Sequence, residues 1–147
     1  MNAVFKKALV DLEFDAVCNQ IALLCTNEKA KEDAVALPIY FSEDEVMQTL
    51  RCTSEYLSSF ENENRIPNHG FDSISEELGL LRIENTAIEP DGLQRIAQVC
   101  TLFEAHYKFF KKFNTYYPTL ASRLDSLVYE AEIKKQIGEV IDRFGVI

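Results

Sequence analysis

Lys108-Phe109-Phe110-Lys111-Lys112-Phe113 interleaves basic heads with aromatic rings. Those residue types at that spacing suit a surface that stacks on nucleic-acid bases while its cations meet phosphates. Lys108, Lys111 and Lys112 are therefore candidate nucleic-acid contacts, and Phe109, Tyr116 and Tyr117 are candidate aromatic anchors for a protein partner. The same residues also have a use inside a helix. Phe109, Phe110 and Phe113 continue apolar stripes, and lysine stems cover such stripes while their charges complement a helix C-terminus. Other chemistry is thinly represented. His69 stands in a polar stretch beside Gly70, and His106 follows Glu104 by two positions, which puts the two side chains about 200° apart around a helix. There is no HExxH and no pair of ExxH motifs. The carboxylates Glu43-Asp44-Glu45, Glu61 with Glu63, and Glu76-Glu77 have a sufficient explanation as helix caps, dipole partners and loop residues. Gly70, Gly79, Gly92, Gly138 and Gly145 are the only glycines, so neither GxxxxGK[ST], GxGxxG nor GxSxG occurs. These residues assign no catalytic group, no cofactor and no metal to this chain, which is expected not to be an enzyme.

The chain that must position these residues is 147 residues long and 47% hydrophobic, enough for one helical domain with a core. With 24 acidic and 15 basic residues its net charge is −9, so its surface as a whole repels phosphates and anionic membranes, and any DNA contact needs a local basic patch. Cys18, Cys25, Cys52 and Cys100 form no CxxC pair and no zinc-finger spacing, and are expected to be reduced core thiols. Met1 to Lys7 lacks the apolar run of a signal peptide, and no stretch approaches the ~18 apolar residues of a membrane span. The expected compartment is the cytoplasm.

Apolar spacing predicts an amphipathic helix from Leu12 to Leu24, opened by Leu12-Glu13-Phe14-Asp15. Thr26 is expected to cap a second helix running to Leu37, where Pro38 stops it. Ser42-Glu43-Asp44-Glu45 reads as a capping box for a third helix to about Phe60. Residues 61–72 read as an exposed, flexible loop and the internal boundary. Ser73-Ile74-Ser75-Glu76 repeats the capping box for a short helix through Leu78, Leu81 and Ile83. Pro90 is placed as the first residue of a long helix to Phe113 with two adjoining apolar stripes. After the Tyr117-Pro118 break, a helix from Thr119 to Val128 and a last one carrying Ile133, Ile137, Val140 and Ile141 complete the chain. The expected fold is all-α, a bundle of six or seven helices in one domain over 1–147, with the long helix central and the first three packed against it. The apolar ending Gly145-Val146-Ile147 suggests the N-terminal fragment of a larger protein.

The order of several short segments resembles the N-terminal region of the MutS family, in the bacterial branch that acts in recombination control rather than ordinary mismatch correction. The segments are Leu12-Glu13-Phe14-Asp15 with Ile21-Ala22, Thr26 through Ala36-Leu37-Pro38, Thr53-Ser54-Glu55, Gly70-Phe71-Asp72-Ser73-Ile74, Ile88-Glu89-Pro90-Asp91-Gly92-Leu93, and Ile141-Asp142 with Gly145 and Ile147. They span nearly the whole chain. Asp91-Gly92 departs from the pattern, since the family usually has two acidic residues there. The resemblance implies a non-catalytic helical region leading into the core and lever helices of a large homodimeric ATPase that clamps DNA. ATP and Mg would bind Walker motifs that have no counterpart here. The alternative is a self-contained acidic helical module that binds a protein partner.

Overall fold

The computed structural model of the chain describes residues 3–142. Gly145 and Ile147 of the family resemblance, and the apolar ending, lie outside the described residues. Among the described residues every regular element is a helix: α1 (Ala3–Asp11), α2 (Phe14–Leu23), α3 (Glu28–Val35), α4 (Glu43–Ser58), α5 (Ser75–Leu80), α6 (Pro90–Lys112), α7 (Pro118–Ser122) and α8 (Ala131–Val140). The all-α expectation holds, with eight helices where six or seven were expected. They fall into two compact units, residues 3–39 and residues 40–142.

In the first unit the helix expected from Leu12 starts at Phe14, and another helix precedes it. Phe5, Ala8 and Leu9 are the less exposed residues of α1, at the three-and-four spacing of one helical face. The chain turns between α1 and α2 at Glu13, whose φ of 51° lies in the left-handed region. Glu13 is therefore a turn residue whose carbonyl accepts from the amides of Ala16 (2.9 Å) and Val17 (3.2 Å) and so starts α2. Its acidic side chain caps nothing. Cys18 and Ala22, one turn apart, are the buried residues of α2 and face α3, where Ala34 is buried. Cys18 alone is a fully buried thiol; Cys25, Cys52 and Cys100 are half-buried, and all four are unpaired. The cap of α3 is Asn27 rather than Thr26, its Oδ1 accepting from the Ala30 amide at 2.8 Å. α3 ends at Val35, before Leu37 is reached. Pro38 disfavours helical geometry in the residue before it.

In the second unit neither expected capping box closes. Ser42 precedes α4 without a side-chain cap, and α5 begins after Ile74, with Ser73 Oγ accepting from the Ser75 amide at 3.4 Å. The start of α4 is exposed, so water can satisfy its free amides, and α5 has half-buried Ile74 rather than Ser73 in the cap position. α6 keeps its expected start, with Pro90 in its first turn, Asp91 beside it, and Lys111 and Lys112 in its last turn, complementing the dipole at both ends. Ile96 of α6 packs with Ile137 and Ile141 from α8 and its C-terminal edge, flanked by Ile74, Ile88, Leu93, Ala97 and Cys100. Burial of each such isoleucine contributes about 1.5–3 kcal/mol. α6 packs on α8 and α7, which follow it in sequence, and takes α5 through the Glu77–Arg95 pair, whereas α4, the third expected helix, packs on α7. The helix expected to run from Thr119 to Val128 stops at Ser122 and continues as tight turns, with the Leu124 amide on the Ala121 carbonyl and Leu127 on Leu124.

Candidate functional site

The lysine and aromatic residues at the end of α6 separate by role. Lys108, Lys111 and Lys112 are exposed and, at i, i+3 and i+4, share one side of the helix. Lys108 Nζ pairs with Glu104 Oε1, and Glu104 Oε2 takes Lys134 Nζ of α8 at 3.3 Å. These two cations, with a hydrogen bond from Tyr129, hold the Glu104 carboxyl down at about 2. Glu104 in turn raises the Lys108 ammonium above its usual value. Lys111 Nζ sits 4.9 Å from the Tyr107 ring centre and Lys112 Nζ 4.9 Å from the Phe113 ring centre, both in cation–π geometry. The basic patch is thus partly neutralised by Glu104 and partly folded onto its own rings.

The candidate anchors do not share one surface. Phe109 is half-buried and packs 4.8 Å from Phe113 and 5.7 Å from Tyr117, ring centre to ring centre. Tyr116 is 61% exposed and touches Phe113 edge-on at 6.2 Å. Tyr117, expected as a surface anchor, is 0% exposed and is the centre of a joint. Its hydroxyl donates to the Asn64 carbonyl at 2.5 Å, and the Asn62 amide donates to that hydroxyl at 3.1 Å. Burial of a tyrosine with its hydroxyl satisfied explains the correction. The 61–72 loop is therefore pinned at its beginning.

Glu55 completes this joint, and local sequence reading missed it. Its two carboxylate oxygens accept from the backbone amides of Thr119 and Leu120, each at 2.9 Å, and so cap the first turn of α7 from 64 and 65 positions away in the chain. Pro118 at the start of α7 announces amides in need of an acceptor, but nothing local to Glu55 identifies it as that acceptor. Glu77 was also missed as anything more than a capping acid. It is 3% exposed, and Arg95 of α6 donates to its Oε1 through Nε at 2.9 Å and through a second guanidinium nitrogen. This partner, first of all, lowers the Glu77 carboxyl below its ordinary value. Gly92 allows the approach of α5 to α6, since a Cβ there would lie 2.7 Å from Ile88 Cγ2 and 3.0 Å from Glu77 Cγ.

The histidines do not converge with carboxylates on a reaction centre. His106 Nδ1 bonds the Leu102 carbonyl at 2.7 Å within its own helix, and His69 Nε2 lies 3.5 Å from the Tyr56 hydroxyl. Among the described residues no group of three or more histidine, cysteine or acidic side chains is arranged to hold a metal. Glu77 and Glu104 are both displaced downward by cations, opposite to the raised carboxyl that a general acid uses. Among the described residues no helix is long and apolar enough to cross a membrane. An apolar recess of about 690 Å³ lies between α6 and α8, lined by Ala97, Thr101, Leu102, Ile137, Gly138 and neighbouring polar residues. No protein-family model, curated protein or solved structure matches this chain.

Proposed function

We propose that this chain is the non-catalytic N-terminal helical region of a MutS-like DNA-binding ATPase, acting in DNA repair or recombination control in the cytoplasm. The reading is supported by where the resembling segments lie. Thr53-Ser54-Glu55 contains the carboxylate that caps α7, and Ile88-Glu89-Pro90-Asp91-Gly92-Leu93 is the start of α6 where Gly92 admits Glu77. Segments that carry the resemblance thus coincide with joints of the fold, as a scaffold role requires. In this reading ATP and Mg are held elsewhere in the homodimer, and this region relays movement between the ATPase end and the DNA clamp.

Determining the reading frame beyond Ile147 tests the proposal: continuation into a Walker motif supports it, and a stop codon directly after Ile147 ends it. The isolated chain is expected to show negligible duplex-DNA affinity at physiological salt, because its net charge is −9 and Lys108 is already paired. Tight, salt-sensitive duplex binding that Lys108, Lys111 and Lys112 to glutamate substitutions abolish would transfer the DNA contact to this region. A second reading, an acidic helical module for a protein partner, is favoured by Leu23 and Leu24, each 84% exposed at the end of α2. A stop codon together with a partner captured through Leu23 and Leu24 is its required outcome.

A further inference from the structure

Beside the pinned loop a second ring-lined site has its cation free. Tyr56 of α4, Ser59 and Phe60 just beyond it, and Ile66, Pro67 and His69 of the loop line a cleft of about 300 Å³ together with Arg65 and Asn68. Phe60 meets Tyr56 at 5.2 Å and 85°, and His69 meets it at 5.7 Å and 78°. Rings set at right angles cover less of one another's faces than stacked rings do, so flat apolar surface stays available. Arg65 is exposed and, among the described residues, has no carboxylate or ring partner, in contrast to Lys108, Lys111 and Lys112. The Asn68 Oδ1 is used by the Gly70 amide at 3.1 Å, leaving its NH₂ to donate.

We propose that this cleft binds one nucleotide unit, its base against the ring and proline surfaces, its polar edge at Asn68 and its phosphate on Arg65. A planar π-system with a polar rim and an attached anion satisfies each of these groups at once: stacking for the rings, a donor for the edge, a charge for a guanidinium shaped for phosphate oxygens. The volume is at the small end of ligand sites, roughly 300–1,000 Å³, and fits one base with its sugar rather than a dinucleotide. Glu61 and Glu63 precede the site in sequence but do not line it. Their charge, and the single phosphate contact, make weak binding the expectation. The inference stands on the cleft alone and is independent of the MutS-like reading.

Amide and side-chain NMR of the 147-residue chain, titrated in parallel with thymidine 5′-monophosphate, thymidine, inorganic phosphate and a ten-nucleotide thymidine strand, tests it. The expected result is saturable shifts confined to residues 56–69 with the monophosphate, with thymidine and phosphate alone each weaker by about tenfold or more. A strand that binds more tightly at the same residues identifies single-stranded nucleic acid as the source, and equal affinity identifies the free nucleotide. Arg65→Glu should abolish saturation, Arg65→Lys should retain part of it, and Tyr56→Phe, which keeps the ring, should retain most of it. The proposal is overturned if the monophosphate gives no saturable shift, if Arg65→Glu responds like the parent chain, or if the shifts appear at Lys108 to Lys112 instead.

Discussion

Residues 3–39 and residues 40–142 are both helical, yet they are held together by different means. In the first unit the polar fixings are short in range: Asn27 on Ala30, the Glu13 turn, and the Lys29–Asp33 and Lys31–Glu28 pairs within α3. In the second, Glu55 reaches Thr119 and Leu120, Tyr117 reaches Asn62 and Asn64, Glu77 takes Arg95, and Glu104 takes Lys134. A fixing that spans tens of residues closes a loop and couples distant helices, whereas a fixing within one turn supports only its own helix. The second unit should therefore lose its structure cooperatively, whereas the first depends on the small contact of Cys18 and Ala22 of α2 with Ala34 of α3 and should open more easily.

The sharpest way to break that difference is Tyr117→Ala, which empties a fully buried ring site and leaves Asn62 and the Asn64 carbonyl unpaired; a loss of about 3–5 kcal/mol in denaturant unfolding is expected. Hydrogen exchange should show α4, α6 and α7 losing protection together, and a change confined to residues 113–122 would count against cooperative coupling. Glu55→Ala comes next, at about 2 kcal/mol, since two amides of α7 lose a charged acceptor. Glu55→Gln, which keeps one carbonyl acceptor, should recover part of the loss. Asn27→Ala should cost about 1 kcal/mol and speed exchange in α3 alone, with α4 to α8 unchanged. The smallest effect is acid. Because the Glu104 carboxyl is held at about 2, below its unfolded value of 4.5, its contribution is complete above pH 4.5 and is lost as pH falls toward 2. Exchange at the α6–α8 contact should rise over that window, and Glu104→Gln should remove that dependence; the pairs are near the surface and contribute little each.

Periodicity and proline made most of the elements legible: Pro90 opening α6, the break at Tyr117-Pro118 ahead of α7, and the Ile133, Ile137 and Val140 spacing of α8, with Ile141 just past its end, follow from the 3.6-residue repeat and from a ring that removes an amide. α1 went unread although Phe5, Ala8 and Leu9 carry its three-and-four spacing, because a nine-residue helix is too short to form on pattern alone and depends on packing. The capping box at Ser42 was misleading because an exposed helix end has water as an equal acceptor and donor, and the one at Ser73 because α5 starts only at Ser75, with Ile74 in the cap position. Of the candidate residues, Lys108, Lys111, Lys112 and Tyr116 are exposed, as a contact residue has to be. Tyr117 is not, and Tyr117-Pro118 names a break in the helix without saying which way the ring turns.

By itself the sequence determined an all-α chain, the long α6, the acidic surface and the lack of a nucleotide loop, because each depends on residue type and local spacing. Only the tertiary structure decided that Glu55 is a cap, that Tyr117 and Glu77 are interior, and that Arg65 is left free beside Tyr56. Those roles depend on partners between 18 and 65 residues away, or on the lack of one, and a one-dimensional pattern does not carry such distances.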